Sequence, residues 1–471
     1  MLGFFKVNDP YRLIAALGLL LIIRTTFYWI GIPLTIPEVK WMIIGESLGN
    51  GGIIYKDLWD HIGPFSAFVY ELLYLLFGKT DIPYKVLSVI LVIIQAGIFN
   101  FLMLKNKAYN QNTYVPAMVY VIVMNLSYDF LTLSPVLMGM TFVLLAINNL
   151  FKRMDNTTRD DLFVQTGLYL GLATLLFQPY FLYFIVTILS LVIFTGSIIR
   201  RMLLLVYGYF LVLCLVAVYY FWHDSFSLFR IGFIESILTM KPYVYMEFVD
   251  FLLLITIPCI ILIVSFVKMK QLGRYINYQL KIQRVMIFFL LSGIPALLLV
   301  KEISPFQLIY FVPGFAFFVT HYLLSIRSWF IAEVHTLIIL TLIMLNAHFP
   351  FNGWLYVDRF IDFSRLNTKA EQVHEIAAGK NLWVIGDDIN KYKNSSIATP
   401  YLNWQLSREQ LRGTGFYDNL TEIFINLTQN PPEVIYDKLG IMEELFSRMP
   451  TIASNYERLE ENSAVYILKA P

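Results

Sequence analysis

The sequence predicts an α-helical polytopic membrane protein of about eleven spans, followed by a small C-terminal α/β domain outside the cytoplasm. Three observations predict it. Of the 471 residues, 58% are hydrophobic and only 14% charged, with a mean hydropathy of +0.64, whereas a soluble domain carries about 25% charge. Apolar runs close to the ~20 residues that a helix needs to cross hydrocarbon recur along the first three quarters of the chain. After His348 the runs stop and charged residues become frequent.

The apolar runs fall at 12–32, 83–104, 113–128, 133–151, 162–178, 179–198, 202–222, 249–268, 285–300, 306–326 and 329–348. The first follows Lys6 and Arg12 and has no small-residue cleavage site, so it reads as a retained anchor. Basic residues near span ends mark the cytoplasmic side. Lys105, Lys107, Lys152, Arg153, Arg200, Arg201, Lys268 and Lys270 collect on one side, and Lys40, Lys56, Lys79, Arg230, Lys241 and Lys301 lie in the opposite loops. This bias puts the N-terminus in the cytoplasm and, with an odd span number, the tail outside. The net charge of +2 carries no clustered basic footprint for nucleic acid. Cys214 and Cys259 both lie in apolar runs, so neither a disulfide framework nor a zinc site is encoded. Arg24 in the first run is expected in a structural ion pair. His321, Glu333 and His335 near the ends of the last two runs are expected at the interface.

The chain thus divides into a membrane domain, 1–348, with a first external loop at 33–82 and a second at 223–248, and an extracytoplasmic domain, 349–471. In the tail, NLWVIGDD at 381–388 reads as a strand entering a turn, 417–428 as a helix and PPEVIYD at 431–437 as a second strand. A helix through IMEELFSRM and a terminal hairpin, YERLEENSAVYILKA, complete an α/β pattern.

The first external loop is the most informative segment. Helical spacing starts at Pro37, GNGG at 49–52 breaks it, and FSAFVYELLYLLFG at 65–78 forms a second piece, a pattern that fits two helices lying at the membrane interface. Glu38, Glu46, Asp57, Asp60 and His61 fall within this loop. Ionisable side chains persist next to hydrocarbon where they line a polar cavity, so a catalytic cavity at the membrane surface is the leading reading. Glu38 also suits the first turn of a helix, where the dipole favours a carboxylate; both roles stay open at this level.

Pro37-Glu38-Val39-Lys40-Trp41, then Gly51-Gly52, Tyr55 and Asp60-His61-Ile62-Gly63-Pro64 together resemble the first periplasmic loop of polyprenyl-phosphate-dependent glycosyltransferases of the GT-C fold. The pattern is most similar to bacterial relatives of protein O-mannosyltransferases and of the lipid A aminoarabinose transferase. The family loop usually opens Asp-Glu, and Pro37 stands where the Asp would be. The resemblance implies a multi-pass enzyme of the bacterial plasma (inner) membrane, surrounded by membrane lipids. It would transfer a sugar with inversion from a polyprenyl-phosphate donor to an extracytoplasmic lipid, protein or glycan acceptor. Glu38 takes the place of the base that deprotonates the acceptor hydroxyl, with Asp60 and His61 completing the catalytic set. Donors or cations must stabilise the leaving phosphate, and Lys56, Arg230 and Lys241 are available on the same side, with His61 as a further donor. Tyr55, Asp57 and Asp129 join them as substrate-binding candidates. His61 also suits a metal ligand or proton carrier, and a divalent metal is compatible with this set without being demanded by it. The missing Asp at position 37 supports an alternative, a catalytically inactive GT-C-like scaffold that binds a lipid-linked glycan or partner protein. The second external loop, rich in aromatics around His223, Asp224, Arg230, Glu235 and Lys241, suits either a lid or an interfacial helix.

Overall fold

The computed structural model describes residues 1–154, 159–195, 199–272, 275–352, 362–368, 377–459 and 464–469. The first part of the expected tail, 353–361 and 369–376, and the tip of its terminal hairpin, 460–463, lie outside the described residues. The chain folds into two compact units, one of Met1–Pro33, Tyr84–Val216 and Pro242–Arg365, the other of Leu34–Pro83, Ala217–Lys241 and Leu366–Pro471.

The first unit is a helical membrane body. Among the described residues eight helices of the chain are long and apolar enough to cross a bilayer: Arg12–Ile30, Ile82–Lys105, Pro135–Arg153, Ile199–Trp222, Phe248–Gln271, Asn277–Leu299, Pro305–Ser325 and Trp329–His348. The chain is a multi-pass membrane protein. Two further expected spans are shorter apolar helices, Asp161–Leu176 and Gln178–Phe194. The expected span at 113–128 contains only the nine-residue helix Val115–Val123, buried at every position. At ~1.5 Å per residue this is ~14 Å, half the hydrocarbon thickness. Hydropathy detected apolar content there but not the short run between Val115, where the helix starts with Pro116 in its first turn, and Met124, where it is capped. The Pro305–Ser325 and Pro135–Arg153 helices are 83% and 78% buried and occupy the interior, whereas Arg12–Ile30 and Ile199–Trp222, each 28% buried, turn apolar surface outward. Cys214 and Cys259 lie on such outward faces.

Small residues permit the tightest helix crossing. A Cβ on Gly167 would lie 2.1 Å from the Leu205 carbonyl oxygen, and one on Gly208 would lie 2.3 Å from that of Val164. The Asp161–Leu176 and Ile199–Trp222 helices therefore meet backbone to backbone, as small residues allow in membranes. Gln95 shows how a polar group is satisfied inside this unit. Gln95 donates to the Leu137 carbonyl (2.7 Å) and accepts from the Tyr120 hydroxyl (2.9 Å).

Two expectations are corrected in this unit. Arg24 has no carboxylate partner among the described residues; its guanidinium donates to the Ser88 hydroxyl (3.0 Å) and the Phe130 carbonyl (3.5 Å). Neutral acceptors thus take up its two terminal nitrogens, while its Nε is buried without a hydrogen-bond partner among the described residues. His321 is buried rather than interfacial, its ring 4.5 Å from Tyr109, 4.6 Å from Phe317 and 5.4 Å from Tyr275. The short strands β1 (Tyr243–Val244) and β2 (Glu302–Ile303) pair in parallel in the same unit.

The second unit holds a five-stranded sheet of β3 (Asn381–Ile385), β4 (Ser396–Ile397), β5 (Val434–Asp437), β6 (Tyr456–Arg458) and β7 (Val465–Leu468), in the order β4-β3-β5-β7-β6. β3 pairs in parallel with β4 and β5, while β7 is antiparallel to β5 and β6. Parallel β3 and β5 need a crossover, supplied by helices Trp404–Arg412 and Tyr417–Gln429. Trp383, Ile435, Leu411, Ile423 and Leu445 form the core under this crossover. Asp437 ends β5 and accepts the Met442 N–H (2.7 Å), which starts helix Ile441–Arg448 after the left-handed Gly440. Asp388, in the turn after β3, pairs with Lys438 at 3.2 Å.

Candidate functional site

The first external loop builds the site within the second unit. Helix Ile36–Gly49 begins at Thr35, whose hydroxyl accepts the Glu38 N–H. The Glu38 carboxylate answers by accepting from the Thr35 N–H (2.8 Å) and hydroxyl (3.0 Å). This is a capping box, and the Thr-x-x-Glu spacing that announces it stands in the sequence. Thr35→Ala is expected to cost about 1 kcal/mol of stability, read by thermal unfolding in detergent; an unchanged midpoint would show that the box contributes nothing.

Pro37–Glu46 is buried throughout, so this helix does not lie at an interface with one face exposed, contrary to expectation. Helix Pro64–Phe77 does expose Phe68, Leu72, Leu75, Leu76 and Phe77. The two helices touch closely: a Cβ on Gly45 would lie 2.5 Å from the Tyr70 carbonyl oxygen, and Trp41 stacks on Tyr70 at 5.6 Å. Lys79, just past Gly78, reaches Glu46 (2.7 Å) and the Ser395 carbonyl (2.6 Å), and the Ser396 hydroxyl donates to the other Glu46 oxygen (2.6 Å).

Between the helices the chain turns tightly at Ile53–Leu58. The Asp57 carboxylate accepts the Ile53 N–H (2.8 Å), and the Tyr55 N–H donates to the Leu58 carbonyl (2.8 Å). Tyr55 adopts φ +71°, a strained value for a bulky residue. Its surroundings hold it there: the hydroxyl donates to the Ile62 carbonyl (2.5 Å), and the ring packs edge-on to Tyr220 (5.3 Å) and against Phe229 (5.6 Å). Burial, reinforced by Tyr220 and Asp60, pushes the Tyr55 phenol well above its ordinary range, so it remains a donor. Gly232, in a π-helical turn at Arg230–Glu235, meets the same ring; a Cβ there would lie 2.6 Å from Tyr55 Cδ1.

Asp60 is the centre of the site. It is fully buried, and Lys40, itself buried, places Nζ 2.6 Å from Oδ2. The Ile62 N–H donates to Oδ1 (2.9 Å), His61 Nδ1 lies 3.7 Å from Oδ1, and Asn403 Nδ2 donates to Oδ2 (3.4 Å). Burial alone would raise this carboxyl; the charges of Lys40 and His61, with the Lys40 and Ile62 hydrogen bonds, outweigh burial and hold it below its ordinary value. Asp60 is therefore an anion that resists protonation. A carboxyl depressed by folding stabilises the fold above its unfolded pKa of ~3.9 and loses that contribution as pH falls through the lower folded value. The native chain is accordingly expected to keep this pair's contribution at neutral pH and lose it only below about pH 4. An acid titration of unfolding that shows the loss between pH 7 and 5 would contradict the pairing.

Asn403 is the second residue that sequence reading missed. It caps helix Trp404–Arg412, with Oδ1 accepting the Gln405 N–H (3.0 Å), and Nδ2 lies 3.3 Å from His61 Nδ1. Main-chain bonds hold this arrangement: Trp59 N–H to Pro400 carbonyl (2.7 Å) and Asn403 N–H to Trp59 carbonyl (3.1 Å). Nothing in the local pattern at 403 signals this, since its partners lie more than three hundred positions earlier.

Asp60, His61 and Tyr55 are thus brought together with Lys40 and Asn403. Glu38 sits on the same helix as Lys40 and is engaged by Thr35. Lys56 is exposed and donates to the His223 carbonyl (3.1 Å), Arg230 pairs with Glu235 (3.1 Å), and Lys241 is exposed. Asp129 belongs to the first unit, buried, and accepts the Ser304 hydroxyl (3.0 Å) and the Phe306 N–H (2.7 Å) at the start of the turn Pro305–Phe311.

The chain is a multi-pass membrane protein with the GT-C fold, shared with a solved oligosaccharyltransferase. The oligosaccharyltransferase of Archaeoglobus fulgidus in its apo form superposes with a TM-score of 0.53 at 10% identity, covering 95% of this chain and 73% of that one. ArnT from Cupriavidus metallidurans matches with TM-scores of 0.48 in the apo state and 0.49 bound to undecaprenyl phosphate, at 14% and 12% identity over 69% and 70% of this chain. The match spans 63% and 64% of the two ArnT chains. No protein-family model matches the chain, and no curated protein matches it.

Proposed function

We propose that the protein is a membrane glycosyltransferase that moves a sugar from a polyprenyl-phosphate carrier to an extracytoplasmic acceptor, with inversion at the anomeric carbon. The observation that carries this reading is the buried Lys40–Asp60 pair with His61 beside it, in the first loop of a chain with the GT-C fold. A buried, hydrogen-bonded ion pair is costly to assemble and contributes little net stability, so its support for a neighbouring imidazole is better explained by function.

In this reading Asp60, Lys40 and Asn403 orient His61. His61 is then the donor that meets the leaving phosphate, the developing charge in the transfer. Glu38 remains the base for the acceptor hydroxyl, held in place by its hydrogen bonds to Thr35. Lys56, Arg230 and Lys241 supply cations near the donor, and Tyr55 and Asp57 contribute to substrate binding. The N-terminus lies in the cytoplasm and the sheet domain outside the bacterial inner membrane, as the basic-residue bias requires.

The test is transfer from a panel of polyprenyl-phosphate sugars by the purified chain in lipid. Glu38→Gln is expected to abolish turnover with donor binding retained, and His61→Gln to lower it by about 10²-fold. Donor binding with no turnover by the native chain would favour the inactive scaffold, the reading that Pro37 supports.

A further inference from the structure

A cavity of about 460 Å³ opens within the second unit beside Asp60, lined by Tyr55 and Trp59 from the first loop, Leu228 and Ile231 from the second, and the two crossover helices of the sheet domain. Its size falls within the range of small-molecule sites. The crossover helices contribute Glu409, Gln410, Phe416 and Glu422. Gln410 is 8% exposed; its Nε2 donates to Glu422, and its Oε1 has no hydrogen-bond partner among the described residues. A buried acceptor without a donor is unfavourable unless a ligand or water supplies one. Phe416 is 71% exposed, at the turn between the two helices, leaving an aromatic face available to a ligand.

The lining carries Glu409 and Glu422 as carboxylates, with Asp60 already neutralised by Lys40, and contains no Lys, Arg or His among its described residues. Such a wall repels a phosphate, so the donor's leaving group does not belong here. What it accepts is a ligand with several hydroxyl donors, an apolar ring face to lie against Trp59 or Phe416, and no negative charge. We propose that this cavity is the acceptor subsite of the enzyme and takes a neutral saccharide. Gln410 Oε1 and the Glu409 and Glu422 carboxylates receive its hydroxyls. The assignment rests on the glycosyltransferase reading for the word acceptor, while saccharide binding itself stands on the cavity alone.

The experiment is an array of soluble neutral gluco-, galacto- and manno-oligosaccharides, their sulfated or carboxylated counterparts, and basic peptides, probed with the full chain in nanodiscs. Cleavage of polyprenyl-phosphate sugar is followed in the same preparation. Neutral saccharides are expected to bind, and Gln410→Leu and Phe416→Ala each to weaken them by about tenfold, a shift of one lost contact. Phe416 is mostly exposed, so its variant folds even if the buried glutamine's does not. Capture of anionic glycans or basic peptides alone, no capture of saccharide, or binding equal in both variants overturns the proposal. Donor cleavage without saccharide capture leaves the transferase and removes this subsite; saccharide capture without donor cleavage does the reverse.

Discussion

Lys40→Met is expected to destabilise the second unit by about 3–5 kcal/mol, because it leaves the Asp60 charge fully buried without its counter-ion. The Ile62 N–H and the Asn403 amide remain as donors, but neither carries charge. The double variant Lys40→Met/Asp60→Asn removes both charges and is expected to recover most of the loss, since the pair as a whole contributes far less than either partner's removal costs. Thermal unfolding of the four proteins of this cycle in one detergent measures the coupling. Simple additivity of the two single variants would show that the 2.6 Å contact is not an energetic pair. In the functional reading the double variant has a second value: a folded protein in which His61 has lost its anionic partner isolates the role of Asp60 from its contribution to stability.

Gly208→Val is expected to prevent accumulation of folded protein. The added Cβ would face the Val164 carbonyl oxygen at 2.3 Å, and Gly167 meets the Leu205 carbonyl from the opposite helix at 2.1 Å, so backbone confronts backbone and no rotamer relieves the clash. Overpacking of a core usually costs about 1–3 kcal/mol, and a rigid backbone contact belongs above that range. Gly18 provides the control, because nothing lies within 4 Å of a Cβ built on it, and Gly18→Ala is expected to behave as the native chain. Size-exclusion profiles of fluorescent fusions compare the two; a monodisperse Gly208→Val protein would mean that these helices can separate without loss of the fold.

Features written in short spacings were legible in the sequence. The two first-loop helices followed from Pro37, the Gly-Asn-Gly-Gly break and Gly78, and the structure places them at Ile36–Gly49 and Pro64–Phe77. The two strands, the helix and the terminal hairpin of the sheet domain were likewise visible as local patterns, and β3, Tyr417–Gln429, β5 and the β6–β7 pair occupy those positions. Hydropathy misjudged 113–128, because apolar content does not report where a helix stops, and it placed Ile36–Gly49 at an interface although that helix is buried all round. The centre of the site was half visible. Asp60 and His61 stand out as adjacent ionisable residues, but Lys40 looks in sequence like any basic residue of a loop. Its pairing with Asp60 depends on two segments folding back on each other. Asn403 carries no local signal at all, since what it touches is set by tertiary structure.

The second unit is stitched from three stretches of chain separated by membrane helices. Lys40 and Asp60 can meet soon after their loop emerges, but Asn403 is made 342 residues after His61. At ~5–20 residues per second this is a delay of roughly 20–70 s. Through that interval the loop has neither the Pro400 and Leu366 carbonyls for Trp59 and Ile36 nor the amide that sets the imidazole. The order of synthesis therefore acts as a timer: the surroundings of Asp60 and His61 cannot be completed until Asn403 has been made, and a chain truncated before the sheet domain would carry every acidic residue of the loop in unfinished surroundings.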